Sequence, residues 1–289
     1  MERYREDEMT ESRADCRVNA RRAYAKYNEK RDLPLLLAVR NSQFITNRQL
    51  CAQLLADGTE TSRRGFAWRA SRLVDLGLIE TLPHQFPYSG IVYTITRSGV
   101  ACLEACGEGL VSQTSESKNL ANRSQTRHYL ELGEIRAALR GAGILKNWTG
   151  DLELSSLNQS IDLPLAKDYD AVAELEVSGK RYRIALEYER FFKSSARYRE
   201  VIDVVEDEKQ MQLLVYLTYS MDLVYQLKTE FEGVSFPIAI APASQFRGNV
   251  LGVRMHHTLG KNRNSVDYIE PGRATFREIL LLAATRGSK

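Results

Sequence analysis

The sequence is short of cysteine, of long apolar runs and of charge imbalance, and each shortage excludes a class of protein. Four cysteines in 289 residues are too few for a disulfide-stapled secreted scaffold. The longest apolar runs, Leu33–Val39 and Ile279–Ala284, fall far short of the roughly 18 residues a membrane helix needs. The N-terminus, Met1-Glu-Arg-Tyr-Arg-Glu-Asp-Glu8, is charged where a signal peptide would be apolar. The expectation is therefore a cytoplasmic protein with no membrane partner. A formal net charge of +3 leaves no room for a polybasic tail, although acids elsewhere can mask a basic face. The sequence is 43% hydrophobic, enough to build cores and to exclude wholesale disorder. At roughly 150 residues per domain, the length suggests two domains.

Residues 1–31 are charged and poor in aliphatics, with Arg17, Arg21, Arg22, Lys26, Lys30 and Arg31 toward their end. Two readings fit: a solvated face, or a basic arm on DNA phosphates. From Asp32 the pattern tightens. Asp32 is placed to cap a helix with Pro34 in its first turn. Thr46-Asn-Arg-Gln49 matches a capping box opening a second helix, which stops at Asp57-Gly58. A third helix starts near Thr61-Ser62. Its apolar face holds Phe66, Ala70, Leu73 and Val74, and its opposite face holds Arg64, Trp68, Ser71, Arg72 and Asp75. Two strand patterns, 78–82 and 91–96, flank a Pro- and Gly-bearing loop, and a last helix runs over about 97–105.

The order helix, helix, helix, hairpin, helix is that of a winged helix-turn-helix over residues 32–110. An Arg-bearing third helix suits the major groove, where Arg reads guanine edges. The expected contacts to double-stranded DNA are Arg63, Arg64, Trp68, Arg69, Ser71 and Arg72. A winged helix used only for protein contacts is the alternative.

Residues 111–125 are Ser/Asn-rich and aperiodic, so the linker is placed there, with the second domain at 126–289. In that half a helix is expected over 126–139, strands over 151–157, 170–177 and 181–188, and a helix over 193–210. A strand at 213–218, a helix at 220–230, strands at 236–241 and 250–255, and a final helix at 274–284 complete it. This is an α/β arrangement with a mixed central sheet and no Gly-rich phosphate loop. Asp170, Glu187, Glu189 and Lys193 gather the chemistry. Strand period puts Glu187 and Glu189 on one face, with Asp170 at the start of the hairpin partner. Such an oxygen-rich pocket suits Mg²⁺ or Mn²⁺; an acidic cluster on a solvent face is the bland reading. Cys102 and Cys106 read as apolar-face residues, and His256-His257 as an exposed loop or phosphate contact. The segment 213–225 and the last helix (Phe276, Ile279, Leu280, Ala283) fit either a homodimer surface or a core.

The stretch from Tyr169-Asp-Ala-Val-Ala-Glu-Leu-Glu through Ala185-Leu-Glu-Tyr-Glu-Arg190 to Lys193-Ser-Ser-Ala-Arg-Tyr-Arg199 resembles the replication-relaxation family of bacterial and plasmid proteins. That resemblance implies an α+β chain: an N-terminal winged helix joined to a restriction-endonuclease-like domain of the PD-(D/E)XK type. It also implies DNA binding in plasmid or mobile-element replication or maintenance. Asp170 and Glu187 would be the metal ligands, with Glu134, on the first helix of the domain, completing the site. Glu189 stands where that pattern expects Lys, and Lys193 would supply the cation. The alternatives are a metal-dependent DNA endonuclease and a transcriptional regulator that does not cut.

Overall fold

The computed structural model describes residues 27–82, 90–117, 120, 122–160, 165–259, 270 and 272–286. The arm at residues 1–26, the loop at 83–89 and most of the polar loop at 258–267 lie outside them. The chain divides after Gly133 into two compact units.

In the first unit the elements run α1 (Glu29–Ser42), β1 (Ile45–Thr46), α2 (Asn47–Ala56), α3 (Arg63–Asp75), β2 (Ile79–Thr81), β3 (Val92–Ile95) and α4 (Arg97–Ala105). The strands form an antiparallel sheet in the order β1-β3-β2. Side-chain oxygens cap three of the helices. Thr46 and Gln49 complete the capping box of α2, Ser62 accepts the Gly65 N–H at the start of α3, and Thr96 accepts the Gly99 N–H at the start of α4. Leu36, Leu50, Phe66, Leu73, Leu78 and Leu103 meet in one core.

Asp32 does not start α1. The helix begins one turn earlier, with Asn28 as its cap, and Asp32 lies inside it, wholly buried, accepting the Asn28 N–H. Its carboxylate is needed there by two arginines of α3.

The compositional boundary at 111–125 and the division at Gly133 differ for a packing reason. Leu130 is fully buried with Phe44, Leu82 and Val92, and Tyr129 packs on the same cluster. Gln49 donates to the Leu130 carbonyl at 2.9 Å, and Gln43 to the Tyr129 hydroxyl. Polar composition marks where the chain is solvated, whereas these aliphatic and amide contacts decide which core it joins.

The helix α5 (Thr126–Gly141) is followed by β4 (Leu145–Gly150), α6 (Asp151–Ser160), β5 (Ala171–Val177), β6 (Lys180–Glu189) and α7 (Ser195–Val205). Then come β7 (Leu213–Thr218), α8 (Met221–Glu230), β8 (Ile238–Pro242), α9 (Ala243–Gly248), β9 (His256–His257) and α10 (Phe276–Arg286). The sheet order is β4-β5-β6-β7-β8-β9. It is mixed: antiparallel from β4 to β6, parallel from β6 to β8, antiparallel again at β9. The chain is thus a mixed α+β protein. Ser178 and Gly179 both take positive φ in the β5–β6 turn, as a two-residue hairpin requires. Leu213–Thr218 is buried along its whole length, as a strand with a neighbour on each side should be.

Two expected strands are corrected. Residues 151–160 form a helix, because the Glu153 carboxylate takes the Gly150 N–H and the Asp151 carboxylate takes the Leu152 N–H at its first turn. Residues 250–255 are irregular, since the Val253 N–H turns back to the Asn249 carbonyl and only Arg254 bridges to Thr275. The 193–210 helix is shorter than expected, starting at Ser195 behind a Ser194 cap. No helix among the described residues is long and apolar enough to cross a membrane.

Candidate functional site

Register builds the site in the second unit. β5 and β6 pair antiparallel, with Ala171 opposite Leu186. One step further toward the strand ends, Asp170 stands opposite Glu187. Glu189 lies two residues on and shares the Glu187 face. The Asp170 carboxylate accepts the Tyr188 N–H at 2.7 Å, which locks the acid to the neighbouring strand.

Glu187 and Glu189 are both buried. Each has a lysine. Lys193 Nζ lies 2.7 Å from Glu189 Oε1, and Lys167 pairs with Glu187. The Lys167 ammonium also stands over the Tyr169 ring, 5.1 Å from its centre. Tyr169 in turn donates to the Glu208 carboxylate at 3.1 Å.

These contacts set the electrostatics. Burial pushes the Glu187 carboxyl up to about 7, and repulsion from Asp170 adds to it, while Lys167 and Lys193 oppose the rise. Burial likewise raises Glu189 against its hydrogen bond to Lys193. For Lys193 burial works against the charge, but Glu189, Glu187 and Asp170 outweigh it and hold the ammonium charged above the usual lysine range. The Tyr216 hydroxyl is raised by burial and by both glutamates. Acids at this density in a dry place demand cations.

The structure therefore brings together Asp170, Glu187, Glu189 and Lys193. Sequence reasoning missed Lys167. It sits three residues before Asp170, but nothing in a loop lysine's spacing marks it as the partner of a strand glutamate. Glu134 lies half-buried on α5. Among the described residues no group of three or more His, Cys, Asp or Glu is arranged to hold a metal ion. A two-carboxylate site remains sufficient for Mg²⁺, which fills its other positions with water and phosphate oxygens.

On α3 of the first unit the expected contact face is split. Arg63, Arg64, Trp68 and Ser71 are exposed, Trp68 at 63%. Arg69 and Arg72 are engaged within the protein. Arg69 is buried between Glu60 and Asp32, its Nη1 3.6 Å from Asp32 Oδ1, and Arg72 pairs with the other oxygen of Asp32. A polar helical spacing cannot distinguish an arginine aimed at solvent from one recruited by a buried acid on a distant helix. Arg72 also stands 5.5 Å from the centre of the Trp68 ring, steadying that exposed side chain.

Other expected surfaces are interior. His257 is buried and His256 half-buried in β9, where burial lowers both imidazole pKa values; they are not an exposed loop. Phe276, Ile279, Leu280 and Ala283 are core residues of α10, and of the segment 213–225 the strand β7 is enclosed, whereas Tyr219, Met221 and Tyr225 beyond it are exposed. Cys102 is buried and its thiol is pushed up to about 12 by burial and by Cys106, in keeping with an apolar-face residue.

Compared with known proteins, the chain matches no family model, no curated protein and no solved structure.

Proposed function

We propose that the chain is a DNA-binding protein of the replication-relaxation type, acting in plasmid or mobile-element replication or maintenance. In this reading the first unit works as a winged helix on duplex DNA. The second is a restriction-endonuclease-like domain that engages the phosphodiester backbone. The observation that carries the reading is the register that sets Asp170 opposite Glu187, with Glu189 on the same face and Lys167 and Lys193 against the two glutamates. Further support comes from the α1-β1-α2-α3-β2-β3-α4 order and from the exposed Arg63, Arg64 and Trp68 on α3.

The donor set fits Mg²⁺ or Mn²⁺. Asp170 and Glu187 lie on adjacent strands, and a divalent cation would favour the charged form of Glu187 against the burial, and secondarily the repulsion from Asp170, that raise its pKa. Asp170 and Glu187 would hold the ion, which when bound polarises a phosphate and lowers the pKa of its water. Lys193, half-exposed, is the cation best placed to meet a phosphate oxygen. Glu189 holds that ammonium in position, which accounts for an acid where the PD-(D/E)XK pattern has lysine.

A specific observation favours a second reading, a regulator that binds without cutting. Both buried glutamates already have a lysine partner, so each of these two acids is compensated from within the chain.

One experiment separates the two. The purified chain is incubated with supercoiled and linear duplex DNA in Mg²⁺ and, separately, Mn²⁺, beside an Asp170→Asn/Glu187→Gln variant. Nicking by the parent and none by the variant, with duplex binding kept in both, supports the nuclease reading. Binding without cutting in either metal leaves the regulator. Absence of duplex binding overturns both.

A further inference from the structure

The parallel strands β6 and β7 end side by side, for the Tyr219 N–H donates to the Glu189 carbonyl at 2.9 Å. After Glu189 the chain reads Arg190-Phe191-Phe192-Lys193, and after Thr218 it reads Tyr219. Large side chains that a core would normally absorb stand in solvent here. Phe191 is 72% exposed, Tyr219 54% and Phe192 37%. The Phe192 ring packs against buried Tyr198, with centres 5.1 Å apart, so its position is fixed from beneath. The Arg190 guanidinium lies 5.2 Å from the centre of the Phe191 ring. Lys193, Arg197 and Arg199 are exposed just beyond, Arg197 also pairing with Glu200. This edge adjoins the Asp170–Glu187–Glu189 cluster, because Glu189 is the last residue of β6 and Lys193 is its partner.

We propose that this aromatic and cationic edge binds unpaired DNA, the bases stacking on Phe191 and Tyr219 and the backbone phosphates meeting Lys193, Arg197 and Arg199. The inference rests on the function proposed above and names its substrate: a single-stranded or unpaired segment led to the carboxylate cluster. Charge complementarity selects this occupant. Cations interleaved with the rings would lose their hydration under an apolar protein partner, even those that keep an acid of the chain beside them, whereas a polyanion with exposed base faces matches both components. An intact duplex keeps its base faces inside the stack and offers these rings nothing to stack on.

The test uses the full chain with a chelator present, so that neither a metal nor cleavage enters the readout. Fluorescence anisotropy follows a labelled oligodeoxythymidylate and, separately, a fully paired duplex. The compared variants are Phe191→Ala, Tyr219→Ala, the double variant and Phe191→Trp. All four changes are at exposed positions, and thermal melting checks the fold. The expected result is oligodeoxythymidylate binding by the parent, weakened on the order of tenfold for each ring removed. Phe191→Trp should restore it, and duplex binding should be unchanged. Failure of the parent to bind the oligonucleotide, or equal binding by the double variant, overturns the inference. A homodimer that the double variant abolishes, with oligonucleotide binding intact, assigns the edge to a second copy instead. Duplex binding by a parent that does not bind the oligonucleotide would leave the proposed function standing while this inference fell. Oligonucleotide binding that the double variant loses, beside a parent that binds no duplex, would do the reverse.

Discussion

The wholly buried carboxylate of Asp32 ties Arg72 of α3 back to α1, leaving that arginine's side chain only 25% exposed. The same carboxylate lies 3.6 Å from buried Arg69, which is also held by Glu60. The two arginines thus fix how α1 and α3 pack, and they do so by charge within a core otherwise made of aliphatics.

Removing the acid should take from both guanidinium groups the carboxylate that they share. Asp32→Ala is expected to lower unfolding stability by about 3 kcal/mol or more, as for a broken buried ion pair. Urea denaturation measures it, and an unchanged midpoint would refute the structural role. Arg69→Ala should cost a similar amount.

The proposed DNA contact of the first unit is best probed at residues that carry no such duty. Arg63→Ala/Arg64→Ala should weaken duplex binding at all sequences and reduce the slope of log affinity against log salt by roughly one for each phosphate no longer neutralised. Its melting temperature should match the parent's, because both side chains are exposed. A salt slope identical to the parent's would remove these arginines from the interface. Arg72→Ala, by contrast, should lose stability along with any binding.

Glu187 makes stability depend on pH. Its folded pKa, about 7, lies above the ordinary carboxylate value, so the native state binds a proton more tightly than the unfolded chain. Its contribution is fully present below the ordinary value near 4.5 and is lost as pH rises through about 7. With metal chelated, Glu187→Gln should therefore be more stable than the parent at pH 8, by on the order of 1–3 kcal/mol. The difference should vanish near pH 4. Parallel stability curves for the two proteins across that range would contradict the assignment.

Gly99 sits in the first turn of α4 against the carbonyl of Leu78. A Cβ there would stand 2.1 Å from that oxygen and 2.7 Å from the Ile95 side chain. Gly99→Ala should be destabilising by about 2–3 kcal/mol or more despite the better helix propensity of alanine. Thermal melting checks it, and a stabilised variant would show that α4 shifts freely from the sheet.

Local chemistry carried much of the first unit on its own. The Thr46–Gln49 capping box, the Ser62 cap and the Phe66–Ala70–Leu73 stripe depend on neighbours within one or two turns, and each is where the spacing places it. That Asp170 and Glu187 lie on the two strands of one hairpin was legible for a similar reason, but the strand bounds 170–177 and 181–188 implied a three-residue turn, and the two-residue turn at Ser178-Gly179 is what sets the register. The helix at Asp151–Ser160 had its signal too, in Glu153 placed to take the Gly150 N–H, but the alternating leucines suggested a strand.

What tertiary structure alone decided are the long-range electrostatic partners and the fate of apolar surfaces. Asp32 finds Arg72 forty positions away, and Lys167 finds Glu187 twenty positions away across a loop. Neither spacing has a period, because ion pairs between elements are set by packing rather than by the repeat of one helix or strand. Hydrophobicity by itself likewise did not separate Phe276, Ile279 and Leu280 of α10, which are buried, from Phe191 and Tyr219, which are not. That separation depends on what lies opposite each side chain once the sheet has formed.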